Sequence, residues 1–244
     1  MAFDKLYNYF IKNKSDKTND SKFWIKEIIH KGNSDDVWIC FLGWKTSISI
    51  AKKLNLLPKS GKIIVYQEPN ALVNKNPDVS KELFYELYND VKQYLKNTQV
   101  NVLSLSLGNM HGFYIASRYD VKKFISVLPG PELGRNIWKS CASEKIMMES
   151  ILLDFSQKKY DNVLKNLECS YNYMNLPHNS YFYIAKSDDY IPSEDQIDLI
   201  NHIKKHHMYR KISYFHLGHI FSHLYFGLLN TMNKIPWEDK NNLK

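Results

Sequence analysis

The chain has 244 residues, 44% hydrophobic and 24% charged, which suits one soluble globular domain with a sizeable core. Its formal net charge is +8, but the lysines are scattered through Asn- and Asp-rich loops with no basic block and no nucleic-acid motif, which argues against a nucleic-acid partner. No apolar run approaches the roughly 18–20 residues of a membrane span, no basic-then-apolar leader pattern stands at the start, and Cys40, Cys141 and Cys169 have no metal-type spacing, so reduced thiols in a cytoplasmic protein are expected.

In chain order, Phe3, Leu6, Tyr7, Phe10 and Ile11 fall at helical spacing and predict a short amphipathic helix over 2–12 that packs on the flank of the domain. A polar loop follows to Ser21, then a strand over Lys22–His30, a turn at Gly32-Asn33-Ser34-Asp35 and a fully buried strand over Val37–Leu42. Gly43-Trp44-Lys45-Thr46-Ser47 comes next, leading into a helical pattern through Ile50 and Leu54. A glycine directly after a central strand permits a turn whose N–H groups point inward. Lys62–Tyr66 predicts another buried strand, 67–78 a loop with Pro69 and Pro77, and 80–96 a helix with one apolar stripe and Ser80 as its N-cap.

The most informative stretch is Val100–Asn109, a buried strand ending in Ser104-Leu105-Ser106-Leu107-Gly108, with an apolar helix from Met110 to Ala116 behind it. A serine raised where a strand stops and a helix starts presents its hydroxyl to the crevice, and the helix N-terminus offers unpaired N–H groups to a developing negative charge. A competing register, Gly108-x-Met110-x-Gly112, puts an inert thioether at that turn. The apolar run directly before Ser106 and the fuller helix after it favour the serine register.

Lys122–Leu128 predicts the next strand, closed by Pro129-Gly130-Pro131. From about 131 to 178 no strand pattern occurs, and helices are expected around Arg135–Cys141, Glu144–Phe155 and Tyr160–Tyr173, an insertion placed as a lid. Within it Trp138, Met147 and Ile151 are candidate substrate-pocket residues, with packing on the body as the plainer alternative. Tyr181–Ala185 is a strand, followed by Asp188, Asp189 and Pro192. Next comes a helix with Ser193 and Gln196 as a capping box. Ile212–His216 is the last strand, then Leu217-Gly218-His219, an apolar helix, and a polar tail over 236–244.

A serine hydroxyl near neutral pH needs a positioned base, and a histidine base needs a carboxylate to set its tautomer. Ser106, Asp188 and His219 stand after successive strands in the order Ser, Asp, His, and in a doubly wound sheet such strand ends converge on one crevice. The oxyanion donors expected are the N–H of Leu107 and that of Trp44 or Lys45, with Gly43 letting substrate approach. Asp189 rivals Asp188. His216 and His223 flank His219, but their spacing with no Cys or Glu partner does not read as a metal site.

Taken together, Phe41-Leu42-Gly43-Trp44, Ser104-x-Ser106-x-Gly108, Asp188-x-x-Ile191-Pro192 and Leu217-Gly218-His219 resemble the oxyanion loop, nucleophile elbow, acid loop and histidine loop of the α/β-hydrolase-fold serine hydrolases. The resemblance covers nearly the whole chain. It implies an α/β fold with a mostly parallel central sheet, helices on both faces and a small helical lid at about 131–178. It also implies attack by Ser106, proton transfer by His219, support from Asp188 and an acyl-enzyme resolved by water. An ester or thioester with an apolar part is the implied substrate, with no cofactor. Two departures, Ser104 where glycine is commoner and the lack of a His before Gly43, leave a catalytically silent binding protein of the same fold as the alternative.

Overall fold

A computed structural model describes residues 23–96, 98–206 and 211–237. The amphipathic segment expected over 2–12 lies outside the described residues. Seven strands form one sheet: β1 (Ile25–Lys31), β2 (Val37–Phe41), β3 (Gly61–Gln67), β4 (Val100–Leu105), β5 (Val121–Val127), β6 (Ser180–Ala185) and β7 (Lys211–Phe215). Their order is β1-β3-β2-β4-β5-β6-β7, with only β1 antiparallel to its neighbour. The interior strands read as continuous apolar runs because both faces are covered.

Alternate residues feed two cores. Ile39, Phe41, Val102, Phe124 and Phe182 face one side, where they meet α2 (Pro77–Leu95), α3 (Asn109–Ala116) and α7 (Ser193–His206). Trp38, Cys40, Leu103, Ile125 and Tyr183 face the other, under α1 (Ile48–Lys53) and α8 (His219–Thr231). Between β5 and β6 the chain forms α4 (Leu133–Lys139), α5 (Glu144–Leu152) and α6 (Gln157–Leu164). The last of these is fastened to the body through Tyr160, whose hydroxyl donates to the Asn74 carbonyl at 2.6 Å.

Three local expectations change. The helix after β3 starts at Pro77, not Ser80; Asn76 caps it by accepting from Asp78 N–H at 3.0 Å, and Pro77 takes the first turn, where its missing N–H costs nothing. Ser80 lies buried inside the helix, 3.4 Å from the Tyr160 hydroxyl. The single helix expected over Tyr160–Tyr173 is instead α6 followed by two short 3₁₀ turns, Lys165–Leu167 and Cys169–Tyr171. The C-terminal tail is not wholly polar surface. Trp237 is buried against Trp38 and donates to Asn230 Oδ1 at 2.7 Å, while the buried Lys123 ammonium donates to the Pro236 and Trp237 carbonyls.

Strand order also places the crevice. From β2 the chain moves outward to β3, then returns to the opposite side of β2 as β4. In open α/β sheets, ligands bind outside the carboxyl ends of the strands at such a reversal. The Gly43 loop leaves β2 there, and the Ser106 turn leaves β4 beside it.

Candidate active site

Ser106 stands between β4 and α3 with φ +51, a left-handed conformation that costs a non-glycine residue about 1–3 kcal/mol and persists only where its surroundings enforce it. Gly108 is part of that enforcement: a Cβ there would lie 2.6 Å from both the Phe41 and Leu42 carbonyl oxygens. Asn109 supplies the rest. Its buried amide donates to the Ser106 carbonyl and the Val127 carbonyl, each at 2.8 Å, and its Oδ1 accepts from Ser104 Oγ (2.7 Å) and Ser126 Oγ (2.6 Å). All four positions of the amide are filled, so the strained turn is tied to the end of β5. The departure at Ser104 thus has a structural purpose, and the register question closes: Met110 is a core residue of α3.

Ser106 Oγ lies 3.0 Å from His219 Nε2. His219 Nδ1 lies 2.8 Å from Asp188 Oδ2. An ionised carboxylate only accepts, so Nδ1 carries the hydrogen and Nε2 faces Ser106 as acceptor. Asp188 Oδ1 also accepts from the Tyr190 and Ile191 N–H groups at 2.9 and 3.0 Å, and Oδ2 accepts from Gln196 Nε2 at 2.9 Å. Burial opposes ionisation of Asp188, but the hydrogen bond and charge of His219 and the two backbone donors outweigh it and hold the carboxyl below the usual carboxylate range. The imidazole is stacked against Tyr190 (centroids 5.2 Å apart) and meets His223 edge-on at 5.0 Å.

The rival residues do not join the relay from Ser106 to Asp188. Asp189 is exposed, and its carbonyl faces the Cys141 thiol. His216 is exposed. His223 is held neutral by burial and by its neighbour His219.

On the other side of Ser106 is the Gly43 loop. A Cβ on Gly43 would come within 2.8 Å of Ser106 Cβ and 3.4 Å of its Oγ, so only glycine fits against the serine. Thr46 N–H donates to the Gly43 carbonyl at 2.9 Å, closing a tight turn over Trp44 and Lys45, and Lys45 takes φ +62. The Lys45 ammonium rests 3.9 Å from the Trp44 ring centroid, and the Trp44 indole donates to the Asn70 carbonyl. Leu107 follows Ser106 in the 3₁₀ turn and is buried.

The pocket residues expected from the insertion are less united. Trp138 packs on Tyr160, Met147 packs against the core shared with α2 and α3, and Ile151 is half exposed. The groove of about 590 Å³ in the insertion is lined by Glu132, Arg135, Lys139, Asp161 and other polar residues, not by these three and not by the Ser106 site.

Two residues of the site escaped sequence reasoning. Gln196 was expected to cap α7 with Ser193. Instead the Pro192 carbonyl accepts from the Asp195 and Gln196 N–H groups, which frees the Gln196 side chain to hold Asp188 Oδ2, the Ile191 carbonyl and the Ala185 N–H. Asn109 leaves a fainter trace in the sequence: an amide three residues after the serine, and a serine at the same level of the next strand (Ser104 pairs with Ser126).

The chain has the α/β-hydrolase fold, as comparison with solved structures shows. The acylaminoacyl peptidase of Pyrococcus horikoshii aligns with a TM-score of 0.60 at 13% identity over 93% of this chain, which spans only 42% of that protein. MGS-M2, an α/β hydrolase from a Medee basin deep-sea metagenome library, aligns at 0.53 and 12% identity over 89% of this chain and 96% of its own. The thioesterase domain from the curacin biosynthetic pathway aligns at 0.50 and 12% identity over 86% and 98%. No family model and no curated protein matches the sequence.

Proposed function

We propose that the protein is a serine hydrolase that cleaves a carboxylic ester or thioester. The observation that carries this reading is the continuous relay from Ser106 Oγ to His219 Nε2 at 3.0 Å and from His219 Nδ1 to Asp188 at 2.8 Å, set on a strained strand-to-helix turn. Ser106 Oγ attacks the acyl carbon while its proton passes to His219 Nε2, and Asp188 stabilises the imidazolium so formed. The N–H of Leu107 and that of Trp44 or Lys45 receive the oxyanion. Collapse of the tetrahedral intermediate expels the alcohol or thiol, which takes the proton from Nε2. Water then repeats the sequence on the acyl-enzyme, with His219 as base, and releases the acid and free Ser106. The substrate approaches over Gly43, beneath the insertion over 131–178 acting as a lid. The printed names of the fold neighbours, a hydrolase, a peptidase and a thioesterase, fit this chemistry.

A silent binding protein of the same fold has no need for a serine within hydrogen-bond reach of a tautomer-fixed histidine, and that contact favours catalysis. The test is a series of p-nitrophenyl esters and acyl-thioesters of graded chain length, wild type against Ser106→Ala. Turnover by the wild type that falls to background in the variant is expected. Equal rates in both, or no turnover of any substrate, would overturn the reading.

A further inference from the structure

The fold brings together two stretches of the chain that carry lysines and no acid. From Val37 to Gln67 the chain holds no Asp or Glu, and none stands between Lys211 and Trp237. These two stretches contain α1 and α8, the two helices over the Trp38–Tyr183 face of the sheet. They also pack together: Gly227 of α8 sits against the Leu54 carbonyl at the end of α1 so closely that no side chain fits, and Asn230 Nδ2 donates to the Asn55 and Leu57 carbonyls. Lys59 reaches across to the Thr231 carbonyl at the end of α8, Lys53 ends α1 and Lys234 follows α8.

The outer side of α8 is apolar. Phe221, Leu224, Tyr225, Leu228 and Met232 recur at intervals of 3, 1, 3 and 4, one stripe along the helix, and each is 38–51% exposed. The helix therefore carries apolar residues on both sides, Phe226 inward and the stripe outward. Scattered exposed apolar residues need no explanation, whereas four in one row on a 13-residue helix, continued by Met232 at its C-cap, do. Apolar residues are exposed on α5 as well, Met148 and Leu152 among them, but there Glu144 and Glu149 are interspersed and Asp154 follows.

We propose that the outer face of α8, with Lys59 and Lys234 at its rim, docks on the surface of an anionic lipid bilayer. An apolar stripe framed by cations, with no acid of its own, is the pattern that lies in the headgroup layer of such a membrane. Charge decides against the other occupants. A second copy would set one lysine rim against another. Residues 1–22 hold five lysines against three aspartates, so they carry the same sign as the face they would cover, and 238–244 hold two acids and two lysines. Because α8 begins with His219, docking also brings the candidate active site to the membrane side, a consequence that rests on the hydrolase reading; the docking itself does not.

The test is co-sedimentation of the full chain with phosphatidylcholine vesicles, with and without about 30% phosphatidylserine, at low and high salt. Wild type is expected to bind the anionic vesicles, to bind less at high salt, and to bind neutral vesicles weakly. Leu224→Asp/Leu228→Asp, at exposed positions, is expected to keep the wild-type denaturation midpoint and to lose binding at least about tenfold. Lys234→Glu is expected to weaken it about fivefold. Ser106→Ala should bind as wild type does, so a failed hydrolase reading leaves this outcome untouched. Absence of binding, binding unaffected by the double variant, or a dimer that Leu228→Asp dissociates would overturn the proposal.

Discussion

Two buried histidine–carboxylate pairs lie near α3, one at the Ser106 turn before it and one built on His111 within it, and they behave oppositely. His219 and Asp188 lie 2.8 Å apart; the carboxylate accepts four hydrogen bonds, and the free imidazole nitrogen points at Ser106. His111 and Glu68 lie 3.9 Å apart; neither Glu68 oxygen nor His111 Nε2 has a hydrogen-bond partner among the described residues. His111 is boxed by Trp24, Phe41 and Phe84, and burial lowers its pKa to about 3. Burial likewise pushes the Glu68 carboxyl well above its ordinary value, so burial favours the neutral form of both groups. Residue type and burial are shared. What separates a relay from an inert pair is whether backbone and side-chain donors hold the carboxylate charged and aim the ring.

The sharpest way to break that contrast is to neutralise each carboxyl in turn. Asp188→Asn leaves the shape but presents an amide N–H or a weaker acceptor to Nδ1; the rate on an active ester is expected to fall about 10⁴-fold. Glu68→Gln is expected to leave kcat within about twofold. Comparable losses in the two would dissolve the distinction.

Next in size is the clamp beneath the serine. Asn109→Asp removes both donors to the Ser106 and Val127 carbonyls and sets a carboxylate oxygen against them. A stability loss of about 3–5 kcal/mol is expected for a buried uncompensated charge. At about 2–4 °C per kcal/mol for a domain of this size, thermal unfolding should come roughly 10 °C earlier. Glu68→Gln should shift the midpoint by under about 1 kcal/mol at pH 5.

The smallest effect separates the pairs by sign. The folded Glu68 carboxyl holds its proton to higher pH than the unfolded one, which loses it above about pH 4.5. The unfolded state then binds fewer protons, so stability falls as pH rises, by up to about 1.4 kcal/mol per unit until the folded group also ionises. Asp188 has the opposite sign: its contribution is present above about pH 3.8 and is lost as pH falls through its lower folded value. Denaturation midpoints at pH 5 and pH 8 should show a smaller decline in Glu68→Gln than in wild type.

The outline of the fold and the positions of Gly43, Ser106, Asp188 and His219 were legible because each follows a strand visible as a β-type apolar run. The choice of Asp188 over Asp189 comes from the resemblance to the α/β-hydrolase-fold serine hydrolases at Asp188-x-x-Ile191-Pro192, not from the residues alone. Asn109 and Gln196 were not legible: their roles depend on which strands become neighbours and on a backbone cap at Pro192 that releases a side chain. The same holds for Glu68 and His111, brought together across β3 and α3 with no local pattern, and for Trp237, whose partner Trp38 lies 199 positions earlier in the chain. The break of the Tyr160–Tyr173 segment into 3₁₀ turns likewise follows tertiary contacts: buried Glu168 turns back to accept from the Leu133 N–H.

The most direct measurement is labelling by a fluorophosphonate, with the modified residue located by mass spectrometry. A relay from Ser106 through His219 to Asp188 predicts one adduct on Ser106 in wild type, formation slowed by orders of magnitude in His219→Ala, and a wild-type rate in Glu68→Gln. An adduct at another residue, no adduct, or undiminished labelling of His219→Ala would contradict it.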